Sequence, residues 1–311
     1  NASLVGVFSE ALKEPSIDAI FGSINGIEGM IDDHLIDLKT MIRTNEDMEM
    51  LLQTPSTVLG SCRYKLKDWH DDDTVYQKII HCFEQRQIGA FFYIGGNDSM
   101  DTVLKLSEYV KEKGLNTKII GIPKTIDNDI YGTDVTFGFH TAVDIATDAI
   151  DRLHTTANSH SRILLCEIMG NKAGWLTLNA GIAGGADIIL IPEIPYDIDK
   201  VCKSVLKRSE SGKNFSIIAV AEGCFDKEEA KLKKKERARL RAEAGVITAT
   251  NRIAAQIQQK TQLEARVCVP GHMLRGGSPS AYDRILATQF GVYAAQLIKE
   301  EHYGMTVAKV G

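Results

Sequence analysis

The sequence predicts an α/β protein made of two Rossmann-like parallel-sheet domains with the active site in the cleft between them, and three observations predict it. Short, β-rich apolar runs of about four to eight residues alternate with segments of helical period, the pattern of stacked βα units. Glycines gather where those runs end, at Gly95 and Gly96, Gly121, Gly170, Gly223, and Gly276 with Gly277. In open α/β sheets ligands bind in the crevice at the carboxyl ends of the strands, so these clusters point to one site region. The length of 311 residues suggests two domains.

Candidate strands cover residues 17–21, 90–94, 118–122, 163–168, 187–191, 215–221 and 266–269. Most are followed by a plausible helix. Residues 141–153 place Ala142, Ile145, Ala146, Ala149, Ile150 and Leu153 three and four apart, the stripe of an amphipathic helix. The run KLKKKERARLRAE, within residues 227–241 and just beyond, consists of good helix formers and reads as a solvated surface helix. The chain opens on Asn1 in a helix-like pattern and closes on a strand-like VAKVG, so both ends read as cut.

Composition narrows the function. The 44% hydrophobic and 25% charged residues are ordinary for a soluble globular protein. The 36 basic and 41 acidic residues give a net charge of −5, which argues against covering nucleic-acid phosphates and for small-molecule partners. Six scattered cysteines form no CxxC pair; four sit in apolar runs as small core residues, as expected in a reducing cytoplasm. Neither a membrane-spanning run nor a signal-like start is visible, and a cytoplasmic location is expected.

Four segments carry candidate chemistry. Residues 91–99 (FFYIGGNDS) read as a strand entering a glycine turn and then a helix with Asp98 or Ser99 as N-cap. Paired glycines at a helix N-terminus suit phosphate, although a lone Gly-Gly pair reads as a tight turn. Residues 123–129 (PKTIDND) crowd Lys124, Asp127 and Asp129 directly after a strand. Phosphoryl transfer to a hydroxyl wants a proton-accepting carboxylate, a cation and acidic ligands for Mg²⁺; composition alone weighs this evenly against an Asx-turn. Glu167 to Gly174 and Ala221-Glu222-Gly223 set a carboxylate beside glycine at a strand end, which suits sugar hydroxyls. Residues 270–277 (PGHMLRGG) place His272 and Arg275 three apart, a plausible sugar-phosphate clamp or else a structural histidine.

The blocks GGNDS, PKTIDND, SHSR, EIMGNKAGW, GIAGGAD, IPE, AEG and GHMLRGGSPSAYDR occur in that order, and together the chain resembles the phosphofructokinase family over nearly its whole length. The resemblance implies phosphoryl transfer to the C1 hydroxyl of fructose 6-phosphate, with Mg²⁺. Asp127 matches the base, Lys124 and Asp129 accompany it, and Asp129 or Asp98 would serve the metal. Thr125 matches the acceptor region; Met169, Gly170 and Glu222 match sugar-holding positions, and His272 and Arg275 hold the 6-phosphate. Arg162 and Arg266 resemble phosphate-clamping arginines that commonly reach in from a neighbouring subunit, implying a homodimer or homotetramer. Donor-side positions are Arg63, Gly95, Gly96, Asn97, Asp98 and Ser99. A donor domain of residues 1–137 with 279–311 and a fructose 6-phosphate domain of residues 138–278 follow.

For the donor, nucleotide-dependent members usually have glycine where Asp98 and Lys124 stand. Asp98 would repel the α-phosphate of ATP, and Lys124 would add charge for pyrophosphate. Pyrophosphate is therefore the expected donor and a reversible reaction follows, with ATP as the alternative and a non-catalytic sugar-phosphate-binding regulatory subunit as the rival from another class. Three departures accompany the resemblance. Asn97 replaces a metal-binding aspartate, Asn171 replaces an arginine, and the sequence starts just after the place of the family's first glycine-rich loop.

Overall fold

The computed structural model describes residues 1–246 and 248–311. The chain divides into two compact units, one of Asn1–Thr125, Ile130–Gly138 and Gly277–Gly311, the other of Ile126–Asp129 and Phe139–Gly276. Each is an α/β layer structure around a parallel sheet.

In the first unit the strands Ala90–Gly95, Lys118–Pro123 and Met305–Thr306 lie side by side in that order, all parallel. The helix Asn97–Glu112 buries Thr102, Val103, Leu106, Tyr109 and Val110, at the three- and four-residue spacing that turns one face inward. Helix Ala2–Ala11 packs along Ala281–Lys299, and two glycines set the distance: a Cβ on Gly6 would lie 2.4 Å from the Thr288 carbonyl oxygen, and one on Gly291 2.1 Å from that of Ser3.

In the second unit the parallel order is Ile188–Leu190, Ser216–Ala221, Ile163–Ile168, Ala265–Cys268. Every residue of the two central strands is buried, which accounts for their near-continuous apolar runs in place of alternation. The helix Ala249–Thr261 sets Ala249, Ile253, Ala254 and Ile257 against Ile163, Leu165, Ile218 and Val220. A Cβ on Gly181 of the helix Trp175–Ala183 would lie 3.1 Å from the Ala219 Cβ on the alternate face. The amphipathic helix expected over 141–153 lies inside Phe139–His160, with Phe139, Ala142, Ala146, Ile150 and Ala157 inward.

Several expectations need correction. Residues 17–20 are not strand; the strand is Phe21–Ser23, paired antiparallel with Leu35–Asp37. The carbonyls of Ile17 and Asp18 accept from the Lys39 ammonium at 3.1 and 2.7 Å, and that of Ile20 accepts from Leu38 N–H, so no ladder forms there. The closing VAKVG is also not strand beyond Met305–Thr306. Its Lys309 carbonyl accepts from Asp134 N–H at 2.8 Å, and Gly311 N–H donates to the Asp134 carboxylate.

The charged run forms a short 3-10 turn, Glu229–Lys231, and the helix Lys234–Glu243. Most of it is solvated, but Glu229 is only 7% exposed. Arg241 donates to both of its carboxylate oxygens at 2.7 Å, and Arg252 pairs with it at 2.7 Å and also with Asp226. Burial would raise the Glu229 pKa, but the hydrogen bond and charge of Arg241, with the charge of Arg252, outweigh it and hold the carboxyl below its ordinary range. A depressed folded-state pKa gives stability that is present above the unfolded value and lost as pH falls through the folded one. Arg241→Ala is expected to cost about 1–3 kcal/mol at neutral pH, by leaving a buried carboxylate with only Arg252 as its partner. The measurement is Tm for both proteins from pH 7 downwards, past the ordinary glutamate pKa of about 4.3; the gap between them should narrow in acid, and a constant gap would refute the assignment.

Candidate active site

The carboxyl edge of the first unit's sheet assembles the glycine turn and the lysine. Gly95 and Pro123 are register partners at the ends of adjacent parallel strands, so the two loops leave the sheet side by side. Lys124 N–H donates to the Gly95 carbonyl at 2.7 Å and extends the pairing by one step. Gly95 is required by packing: a Cβ there would lie 2.1 Å from Ser99 Oγ. Gly96, not Asp98 or Ser99, is the N-cap residue of Asn97–Glu112, and no side chain caps that helix. Asn97 is already helical, and Ser99 lies one turn inside, against Gly95. Asp98 is exposed and has the Lys65 ammonium at 3.7 Å. Arg63, two residues before that lysine, is also exposed.

The segment after Lys124 passes from one unit to the other. Thr125, in the first unit, accepts at its carbonyl from Thr136 Oγ1 at 2.8 Å. Asp127 and Asp129, in the second, are half-buried, and Asn128 between them takes a left-handed φ of 52°. Asparagine tolerates that conformation. Asp129 Oδ1 is buried without a hydrogen-bond partner.

In the second unit, Ile168 and Ala221 are register partners, which sets Met169-Gly170 beside Glu222. Glu222 Oε1 accepts from the backbone N–H groups of Asn171 at 2.7 Å and Gly170 at 3.2 Å, and Glu222 N–H donates to the Ile168 carbonyl at 2.9 Å. Gly170 has φ 147° and Asn171 has φ 52°. Gly223 lets the loops touch, since a Cβ there would lie 2.0 Å from the Asn171 carbonyl oxygen. His272 and Arg275 follow the end of the neighbouring strand Ala265–Cys268 in a 3-10 turn, Gly271–Arg275, that lies against Phe139–His160 and buries Leu274. Both side chains are exposed.

Arg162 and Arg266 are not brought to this edge. Arg162 precedes Ile163–Ile168, whose six residues separate it from Met169 by about 20 Å at roughly 3.3 Å per residue; Arg266 is the register partner of Leu164, in the first half of both strands. Both pair with one carboxylate: Arg162 Nε is 2.7 Å from Glu264 Oε2, and Arg266 Nη2 is 2.5 Å from Oε1. The hydrogen bond from Arg162, with the charges of both arginines, holds Glu264 below the ordinary carboxylate range.

Sequence reasoning missed Glu264, Lys65 and Glu193, which accepts from Gly174 N–H at 2.7 Å. Glu264 had a signal: it lies two residues from Arg266 at a strand's start, where period two puts both on one side. Lys65 had none, because its pairing with Asp98 depends on tertiary structure.

A family model described as "Phosphofructokinase" matches residues 1–298. Among curated proteins, the ATP-dependent 6-phosphofructokinase of Spirochaeta thermophila is 43% identical over 315 residues, covering 99% of this chain and 83% of the relative. The ATP-dependent 6-phosphofructokinase of Propionibacterium freudenreichii is 37% identical over 333 residues, covering 100% and 86%. Among solved structures, the pyrophosphate-dependent phosphofructokinase of Nitrosospira multiformis aligns with TM-score 0.82 at 27% identity, over 97% of this chain and 73% of that one. The chain belongs to the phosphofructokinase family.

Proposed function

We propose that this protein transfers a phosphoryl group to the C1 hydroxyl of fructose 6-phosphate, and that ATP is the donor. The observation that carries the reaction is the family match over residues 1–298. The donor rests on the similar curated relatives, which are named ATP-dependent at 37–43% identity. This reverses the expectation of pyrophosphate drawn from Asp98 and Lys124.

In this reading Asp127 takes the proton from the C1 hydroxyl, and Lys124 offers positive charge to the migrating group. Glu222, fixed by two backbone N–H groups, keeps its second oxygen for a sugar hydroxyl. His272 and Arg275 hold the 6-phosphate, and Arg162 and Arg266 do so for a neighbouring copy in a homodimer or homotetramer. Among the described residues no cluster of three or more His, Cys, Asp or Glu could hold a metal. Mg²⁺ still fits, because it commonly takes one or two carboxylates plus substrate phosphates and water, and the buried Asp129 Oδ1 lacks another partner. Asp129 would hold it, and bound Mg²⁺ would offset charge on the transferring phosphoryl oxygens. Asp98 is the weaker candidate, being paired with Lys65.

A second reading keeps pyrophosphate as donor. Its specific support is Asp98 and Lys124 themselves, together with structural likeness to pyrophosphate-dependent enzymes at 27–29% identity. The Lys65 ammonium at 3.7 Å from Asp98 offsets part of the repulsion that would exclude ATP, which favours the first reading.

The test is initial rates of fructose 6-phosphate phosphorylation with Mg²⁺ and either donor, for the wild type and for Asp98→Gly combined with Lys124→Gly. Turnover with ATP and none with pyrophosphate is the expected result. Pyrophosphate turnover that moves toward ATP in the double variant would establish the second reading. Turnover with neither donor would sink the reaction itself and favour a sugar-phosphate-binding regulatory subunit.

A further inference from the structure

Two cysteines that the proposed reaction does not use lie side by side in the second unit. Cys166 and Cys268 are register partners on the adjacent parallel strands Ile163–Ile168 and Ala265–Cys268, so their side chains project to the same face. Both are free thiols; Cys166 is fully buried and Cys268 is partly exposed. Cys268 is the last residue of its strand, and the next segment carries His272 and Arg275.

The geometry points to a modification site: Cys166 and Cys268 form a dithiol that a thiol oxidant of the low-molecular-weight disulfide class closes into a disulfide. The claim goes beyond the phosphotransfer reading and does not depend on it, except where its effect on the sugar site is measured.

The ionisation of the pair supports this order of events. The hydrogen bond between the two thiols, and then burial, push the proton of Cys166 up, while the same hydrogen bond lowers Cys268 to about 6. The more exposed member is thus the one favoured to ionise, and thiolates are the attacking species. Cys268 attacks one sulfur of the oxidant and expels its other half as a thiolate, giving a mixed disulfide. The Cys166 sulfur, its proton passing to solvent, then displaces the second half, so two thiols lose two protons and two electrons and the oxidant leaves as two thiols.

Neighbouring parallel strands are about 4.8 Å apart, whereas a disulfide wants its Cβ atoms within roughly 3.5–4.5 Å. Closure must therefore draw the strands together. Cys166 is fixed in a wholly buried strand, so Cys268, at the end of an edge strand, is the member that moves. It takes the start of the Gly271–Arg275 turn with it. A displacement near 1 Å in a phosphate-holding loop is enough to cost up to about 10²-fold in binding or rate.

The test treats the full chain with oxidised glutathione, or diamide as a second oxidant, and reads peptide maps, intact mass and KM for fructose 6-phosphate before and after dithiothreitol. The expected result is a cross-linked peptide pair joining Cys166 to Cys268, a mass loss of two hydrogen atoms and a dithiothreitol-reversible rise in KM of roughly ten- to a hundredfold. Cys268→Ser should abolish all three effects and Cys62→Ser none. The map on wild-type protein decides the matter even if Cys268→Ser folds poorly. Glutathione retained on Cys268 without closure, or oxidation confined to Cys62, would overturn the proposal. A cross-link with no activity before or after treatment would leave the dithiol standing and count against the phosphotransfer reading alone.

Discussion

Asp127→Asn is expected to lower kcat for fructose 6-phosphate phosphorylation by roughly 10²–10⁴-fold, the usual contribution of a positioned general base. The substitution keeps the shape of the side chain, so KM for the sugar phosphate should change by less than about threefold, the signature of an interaction made in the transition state. The turn that presents the carboxylate should persist, because the left-handed residue is Asn128 and not Asp127. The check is steady-state kinetics of both proteins with ATP and with pyrophosphate. A variant with near-wild-type kcat would remove Asp127 from the chemistry, whichever donor is used.

Gly223→Ala is expected to damage the sugar side without touching a charged group. The added methyl would lie 2.0 Å from the Asn171 carbonyl oxygen, a backbone atom that cannot rotate away. The Met169–Lys172 loop must then shift, and with it the two N–H groups that anchor Glu222. Overpacking of this kind costs about 1–3 kcal/mol in stability, and a displacement near 1 Å in a substrate-holding loop costs on the order of 10²-fold in kcat/KM. Denaturant unfolding together with kcat/KM for fructose 6-phosphate measures both. Stability loss with an unchanged kcat/KM would place the sugar elsewhere.

The parts of the fold that sequence could reveal were those whose burial writes a pattern. Ile163–Ile168 and Ser216–Ala221 are buried along their whole length, and a continuous apolar run ending at glycine has few other interpretations. The inward stripe of Phe139–His160 was equally plain. Residues 17–20 failed because an apolar run cannot reveal that a lysine 21 or 22 residues later will occupy its carbonyls. The charged run hid a buried group, since Glu229 has a composition like that of its neighbours and is distinguished only by Arg241 and Arg252 folding over it. In the site, loops that follow strands could be read because register brings them together, as with Gly95 and Pro123 or Ile168 and Ala221. The arginine pair was visible by residue type, but its shared partner Glu264 was missed.

The chain changes unit four times, after Thr125, Asp129, Gly138 and Gly276, so the first unit is not a continuous stretch of polypeptide. During synthesis, Ala2–Ala11 leaves the ribosome long before Ala281–Lys299, the helix against which Gly6 and Gly291 fit it. The second unit, nearly continuous from Phe139 to Gly276, can fold while the first still waits for Gly277–Gly311. A nascent chain stalled before Gly277 should therefore protect the core around Ile163–Ile168 from protease while leaving Ala2–Ala11 open to cleavage, and the order of assembly would run opposite to the order of translation.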